Sequence, residues 1–335
     1  MKTLLTGIWI TTLVILFGSC TKDLLKGFNK EALFAPPTQG ELDLIKADWQ
    51  NRDLTPATIV IEQTHAINSR VNLNIVSFQL YGHKQYAGVL VPVTLRSLPV
   101  QLYVYGFGLT EPYSYQNFRI SPTDTLPFIY VVPALRGQYL NMVVNDTTYK
   151  TLVSEGTRND AFDGAADDAI ATLNAVLQIF NADTARVMVR GGSRGGTVAL
   201  LVAERDKRVK RAVGVAFPTD LLGLTATHTR DDTYQFQFLD ALVKGNATVE
   251  ETRRKMIASS PLYFCELLPK TQIHFGENDT ITPAEQGQLL LNAMRSLGLE
   301  INLELYTYPG RSHHDIRSNN TELENRIRSF FSPLW

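Results

Sequence analysis

Residues 187–197 read Val-Met-Val-Arg-Gly-Gly-Ser-Arg-Gly-Gly-Thr. An apolar strand runs straight into Gly-x-Ser-x-Gly, and residues 197–204 behind it have helical character. No other feature limits the fold as much. A strand-to-helix turn this tight leaves no room for side chains beside the serine, so only glycine fits there. The helix that follows aims its N-terminal N–H groups at Ser193 and favours developing negative charge there. As a bare pattern, Gly-x-Ser-x-Gly arises by chance in roughly one chain in ten of this length. The strand–turn–helix setting separates it from a glycine-rich turn carrying a surface serine.

The flanking sequence supplies such a setting. Residues 58–62, 73–80 and 86–91 read as strands separated by turn signals such as Gly82-His83-Lys84, which predicts an antiparallel opening. Strands at 100–105, 128–132, 186–190, 209–215, 272–275 and 302–306 then alternate with helical segments at 167–180, 197–204, 283–297 and 322–331. That alternation predicts an α/β fold whose mostly parallel central sheet is covered by helices on both faces. Residues 221–266 interrupt it and predict a small helical cap over the carboxyl edge of the sheet. The chain has 335 residues and is 44% hydrophobic, enough for one large domain over residues 57–335.

Lys+Arg is 32 and Asp+Glu is 33, which gives no basic face for a nucleic acid. Two cysteines build neither a disulfide framework nor a cysteine-rich zinc site.

The N-terminus carries a separate message. Lys2 precedes an uncharged, largely apolar run over residues 4–17. That run is too short to span a bilayer and suits the core of a signal peptide. It ends in Leu16-Phe17-Gly18-Ser19-Cys20, which resembles a bacterial lipobox, although Phe17 stands where that motif usually has an aliphatic residue. The resemblance implies a signal peptide over 1–19, a lipidated Cys20 and a lipid-anchored place in the bacterial cell envelope. The competing reading is an uncleaved anchor. Residues 20–56 then form a tether with a partly ordered segment, including a short helix over 41–49. Cys265 is left as the remaining thiol, and the four Asn-x-Thr sequons carry no meaning in such a protein.

A serine nucleophile needs a base, and the base needs an orienting acid. With the serine on a strand-to-helix turn, the expected chain order is Ser, acid, His. Asp279 lies in a loop after the strand at 272–275, and His313 lies in a loop after the strand at 302–306. Both positions suit a site at the carboxyl edge of a parallel sheet. Six histidines compete for the base. His65, His83 and His228 read as surface or locally bonded, and His274 as a core residue inside a strand. His313 and its neighbour His314 remain, with His313 favoured. No cluster at metal-ligand spacing accompanies them.

Taken together, these segments resemble the α/β-hydrolase superfamily, and within it the catalytic domain of the prolyl-oligopeptidase-type (S9) serine peptidases and related esterases. The resemblance covers about residues 57–335. It rests on the serine turn, on Tyr105-Gly106-Phe107-Gly108 as the entry to an oxyanion loop, and on Val132-Pro133-Ala134-Leu135-Arg136-Gly137. It also rests on Asp167-Asp168 before a helix, on Gly276-Glu277-Asn278-Asp279 and on Tyr308-Pro309-Gly310-Arg311-Ser312-His313. It implies Ser193 as nucleophile, Asp279 as orienting acid, His313 as base and no cofactor, acting on a short peptide or an ester.

Three departures stand out. Arg194 follows the serine where the family often has Tyr or Asn, and could bind a carboxylate or narrow the pocket. The oxyanion donor is either the Tyr105 hydroxyl or, with the alignment shifted by two, the Phe107 backbone N–H; the Arg194 N–H is the second donor. The large propeller of oligopeptidases has no room in this chain. A peptidase would also need an acidic group for the substrate amine, for which Glu155 is the one candidate. A non-catalytic binding protein on the same fold is the rival from another class.

Other features have plain explanations. Arg136 is expected to pair with a carboxylate and hold a loop. Asp167-Asp168 suits a helix start. Tyr103, Tyr105, Tyr113 and Tyr115 either line a pocket or are ordinary strand-edge tyrosines. The charge run over 204–208 reads as a solvated helix end.

Overall fold

The computed structural model describes residues 24–94, 96–110 and 112–335. The lipobox-like segment with Cys20 lies outside the described residues.

The strands in chain order are β1 (Ala57–Asn68), β2 (Val71–Leu80), β3 (His83–Pro92), β4 (Leu98–Val104), β5 (Tyr113–Phe118), β6 (Ile129–Ala134), β7 (Tyr139–Val144), β8 (Thr147–Val153), β9 (Ala182–Gly192), β10 (Val209–Val215), β11 (Lys270–Gly276) and β12 (Leu303–Tyr308). Among the described residues, nine of them form one sheet in the order β1-β2-β3-β6-β4-β9-β10-β11-β12. β1, β2 and β3 pair antiparallel, β3 meets β6 antiparallel, and every pairing from β6 to β12 is parallel. β4 and β6 are buried at every residue, as expected for central strands of a sheet covered on both faces. The antiparallel opening and the parallel body are those expected from the sequence.

Strands β5, β7 and β8 form a second, three-stranded sheet that the sequence reading did not anticipate. Its inward face is Leu140, Met142 and Val144, alternating with half-exposed Tyr139, Asn141 and Val143. This face presses on β3 at Gly88, where a Cβ would lie 2.8 Å from both Leu140 and Met142. Glycine is the residue that lets the two sheets meet.

Helix Asp163–Ile179 begins four residues before the expected start, so Asp167 and Asp168 sit inside it. Their explanation is ion pairing and not the helix dipole. Arg136 donates to Asp168 from Nε at 2.9 Å and Nη2 at 2.8 Å, and it also pairs with Asp160. Asp167 pairs with Arg52 and Arg205.

The ordered part of the expected N-terminal segment packs on the domain. Helix Gln39–Asn51 starts in a capping box between Thr38 and Glu41. Leu25, Leu33, Ile45 and Trp49 are buried in the main core. The Trp49 ring packs on Phe264 at 4.4 Å, and its Nε1 donates to Asp163 at 2.8 Å. Arg253 ties the segment down by donating to Glu41 and to the carbonyls of Ala35 and Pro36.

The charge run over 204–208 is likewise not a solvated end. Glu204 is 1% exposed and Asp206 7%, and the Arg205 side chain is buried against Asp163 and Asp167.

Residues 221–266 make up most of the crossover that parallel β10 and β11 require. Their helices are Leu221–Thr227, Asp240–Val243 and Val249–Ala258, with a π turn at Gln235–Leu239. No described helix is long and apolar enough to cross a membrane.

Candidate active site

β9 ends at Gly192, and Ser193 adopts φ 54° and ψ −135°. That is a strained conformation for a residue with a Cβ. Helix Arg194–Arg205 starts at the next residue. The Ser193 N–H is bound to the Val215 carbonyl at 2.9 Å, which fixes the turn against β10. A Cβ on Gly191 would strike the Gly195 carbonyl, and one on Gly195 would strike the Val104 carbonyl. Both flanking glycines are therefore demanded by close backbone approach.

Asp279 stands three residues past the end of β11, and His313 stands five past β12. The fold brings both to Ser193. His313 Nε2 lies 3.1 Å from Ser193 Oγ, and His313 Nδ1 lies 2.9 Å from Asp279 Oδ2. An ionised carboxylate only accepts, so Nδ1 carries the proton and Nε2 is left to accept from the serine hydroxyl. His314 is exposed and stands edge-on to the His313 ring at 5.5 Å.

Sequence reasoning missed Thr282. Its hydroxyl donates to Asp279 Oδ2 at 2.8 Å and lies 3.0 Å from His313 Nδ1. The N–H groups of Ile281 and Thr282 donate to Asp279 Oδ1 at 2.9 and 2.8 Å. The available signal was the Asp-x-x-Thr spacing, which favours a local side-chain-to-backbone turn. Burial alone would raise the Asp279 carboxyl. Hydrogen bonds from His313 and from Thr282 outweigh it and hold the group below its usual value, so it stays ionised.

The remaining histidines fall where expected. His274 is buried between the Tyr308 hydroxyl and Gln272, and burial pushes it down to about 3. His65 meets Gln63, and His83 stands 3.9 Å from Glu155. His228 bonds the Leu224 carbonyl but also lines the pocket at Ser193.

That pocket has a volume of about 300 Å³. Phe107, Phe162, Leu221 and Phe238 are among its apolar walls; His228, Asp231, Gln237 and His314 are among its polar ones. Within the expected cap, residues 221–238 reach the pocket. Residues 261–267 pack on the helices Arg194–Arg205 and Glu285–Ser296, and helix Val249–Ala258 packs on the N-terminal helix Gln39–Asn51 and on Leu221–Thr227.

Of the two oxyanion-loop alternatives, Phe107 lines the pocket. The Tyr105 ring packs against Tyr113 and Tyr115 at 6.3 and 6.1 Å, outside it. Arg194 is buried, and its guanidinium is engaged by the Tyr105 and Gly106 carbonyls and by Gln138. Its Nη2 is engaged by the loop, and the residue also lines the pocket. Glu155 is exposed, accepts the Lys84 N–H at 2.7 Å and lies in a separate cleft with Arg136. It does not reach the pocket at Ser193. Among the described residues no group of His, Cys, Asp and Glu could hold a metal ion.

A serine on a strained strand-to-helix turn, within reach of a histidine and a carboxylate at the carboxyl edge of a parallel sheet, defines the α/β-hydrolase class. Residues 154–333 match the Prolyl oligopeptidase family. The chain belongs to that family of serine hydrolases. No curated protein matches it.

Solved structures share the fold. Acetyl xylan esterase 1 from a Thermoanaerobacterium species superposes with a TM-score of 0.63 at 16% identity, over 90% of this chain and 95% of that one. An acetyl xylan esterase from a Paenibacillus species gives 0.60 at 15%, over 90% and 99%. The acylaminoacyl peptidase of Pyrococcus horikoshii gives 0.55 at 15%, over 79% of this chain but 41% of the peptidase.

Proposed function

We propose that the chain hydrolyses esters of small acyl groups, with Ser193 as nucleophile, His313 as base and Asp279 as orienting acid. The carrying observation is the Ser193–His313–Asp279 hydrogen-bond relay opening on a pocket of about 300 Å³. Ser193 Oγ attacks the carbonyl carbon while His313 Nε2 takes its proton. The tetrahedral oxyanion is held by the N–H groups of Arg194 and Phe107. Collapse expels the alcohol, which receives the proton from His313 and leaves an acyl-serine. Water, deprotonated by the same imidazole, attacks the acyl carbon and restores the serine.

The ester reading over a peptidase is supported by the pocket. Its lining includes Phe107, Phe162, Leu221 and Phe238, Glu155 is elsewhere, and Asp231 is the one carboxylate among the described lining residues. The length match to acetyl xylan esterases points the same way. Purified protein should turn over p-nitrophenyl acetate and butyrate at least about 100-fold faster, by kcat/KM, than alanyl or glycyl-prolyl anilides. Faster turnover of the anilides would overturn the ester reading and leave the peptidase reading in place. Retention of an ester without turnover would favour the binding-protein reading.

We further propose that residues 1–19 are a signal peptide and that Cys20 is lipidated, placing the catalytic domain over 57–335 on the bacterial cell envelope. The lipobox-like end of the apolar run supports this. Labelling with a palmitate analogue in a bacterial host should be lost in Cys20→Ser. Equal labelling of both proteins would refute the anchor.

A further inference from the structure

We propose that the buried Arg194 side chain, assisted by Arg158, sets the direction in which the oxyanion loop presents its N–H groups. The inference rests on the Ser193 hydrolase reading and adds a positioning group to it.

The acceptors of the two guanidinium groups carry the argument. Arg194 Nη2 lies 2.9 Å from the Tyr105 carbonyl, 2.8 Å from that of Gly106 and 3.1 Å from Gln138 Oε1. Arg158 Nη2 binds the Gly108 carbonyl at 2.5 Å. Both groups sit over the Phe107 ring, at 5.7 and 5.1 Å. Three carbonyls of the loop are therefore drawn to arginines.

A trans peptide is planar, and its N–H points opposite to its C=O. No described peptide bond is cis. With the Tyr105 and Gly106 carbonyls turned to Arg194, the N–H groups of Gly106 and Phe107 are turned away from it. The loop passes beside the nucleophile here: a Cβ on Gly106 would lie 3.6 Å from Ser193 Cβ. Phe107 and Ser193 line the same pocket. The Phe107 N–H, turned away from Arg194, is the donor assigned above to the oxyanion. Glycine at 106 makes the adjoining peptides easy to rotate, so the loop needs such a clamp.

The clamp has an electrostatic side as well. The hydrogen-bond acceptors of Arg194 are neutral carbonyl and amide oxygens. Its charge is thus not cancelled by a contacting carboxylate, one residue from the serine and in a low-dielectric site. Burial presses the group down to about 9, which still leaves it cationic at neutral pH.

The test compares wild type, Ser193→Ala, R194M, R194Q, R194K and R158M for p-nitrophenyl acetate hydrolysis. It also measures inhibition by phenylboronic acid, whose serine adduct carries a tetrahedral oxyanion. R194M should lose about 100-fold in kcat with KM within about twofold, and boronate should bind weaker by a similar factor. R194Q keeps a donor without the charge, and R194K keeps the charge with fewer donors, so both should fall between. A folded R194M that keeps kcat within threefold, or that loses kcat without weakening boronate, overturns the proposal. If R194M does not fold, R158M decides: about a tenfold loss in both readouts supports the clamp, and no loss refutes it. An inactive wild type, or an active Ser193→Ala, would instead refute the underlying hydrolase reading.

Discussion

Replacing Ser193 by alanine is expected to lower kcat for p-nitrophenyl acetate by about 10⁴–10⁶, with the melting temperature held. The size follows from the geometry. Ser193 Oγ is the atom that His313 Nε2 faces at 3.1 Å, and alanine leaves that relay with no nucleophile. The strained turn is kept by its glycines and by the bond to Val215, neither of which alanine disturbs. Asp279→Asn should cost about 10³–10⁴. The N–H groups of Ile281 and Thr282 hold the oxygen of the new amide at the Oδ1 position, so its NH₂ is turned toward His313 Nδ1. Nδ1 must then accept, the ring proton moves to Nε2, and Nε2 can no longer take a proton from the serine. Thr282→Val removes one hydroxyl from Asp279 and should cost only about 5–10-fold, one hydrogen bond of about 1 kcal/mol. The readout is this graded order. Ester hydrolysis that survives Ser193→Ala would sink the assignment of Ser193, and an Asp279→Asn loss no larger than that of Thr282→Val would sink that of Asp279.

The serine turn was legible in the sequence because its glycines answer to backbone collisions that no other residue relieves. Asp279 and His313 were legible because chain order and strand ends place them on one edge of the sheet. Thr282 was not, since threonine is common in loops and its partner His313 is 31 residues away. The sequence leaves Tyr105 and Phe107 open because both follow the end of β4, and local sequence does not record that Tyr105 packs on Tyr113 and Tyr115 while Phe107 lines the pocket. The sheet of β5, β7 and β8 hid in short, half-polar segments. Docking of the N-terminal helix depends on contacts such as Trp49 with Asp163, 114 residues apart, that no local pattern records. The same long-range packing buries Glu204, the Arg205 side chain and Asp206 and leaves Lys207 exposed.

Glu204 carries the second large effect. It is 1% exposed, and among the described residues neither carboxyl oxygen has a hydrogen-bond partner. Burial, helped by the charge of Glu266, raises this group well above its ordinary 4.5; Arg205 and Lys207 pull it down more weakly. Glu204 therefore keeps its proton to a higher pH in the native protein than in the unfolded chain, where it ionises near 4.5. The native state binds the extra proton, so this residue's contribution is fully present below about pH 4.5. It is lost as the pH rises toward the native value, at about 1.4 kcal/mol per pH unit. Glu204→Gln removes the titration. Urea unfolding of both proteins at pH 4.5, 6 and 7.5 should show the variant gaining on wild type as the pH rises, by at most about 1.4 kcal/mol per pH unit. Titrating groups that do not interact with Glu204 act equally on both proteins and cancel in the difference. Parallel pH dependences would mean that Glu204 is ionised in the native protein and has a compensating cation, for which Arg205 and Lys207 are the neighbours at hand.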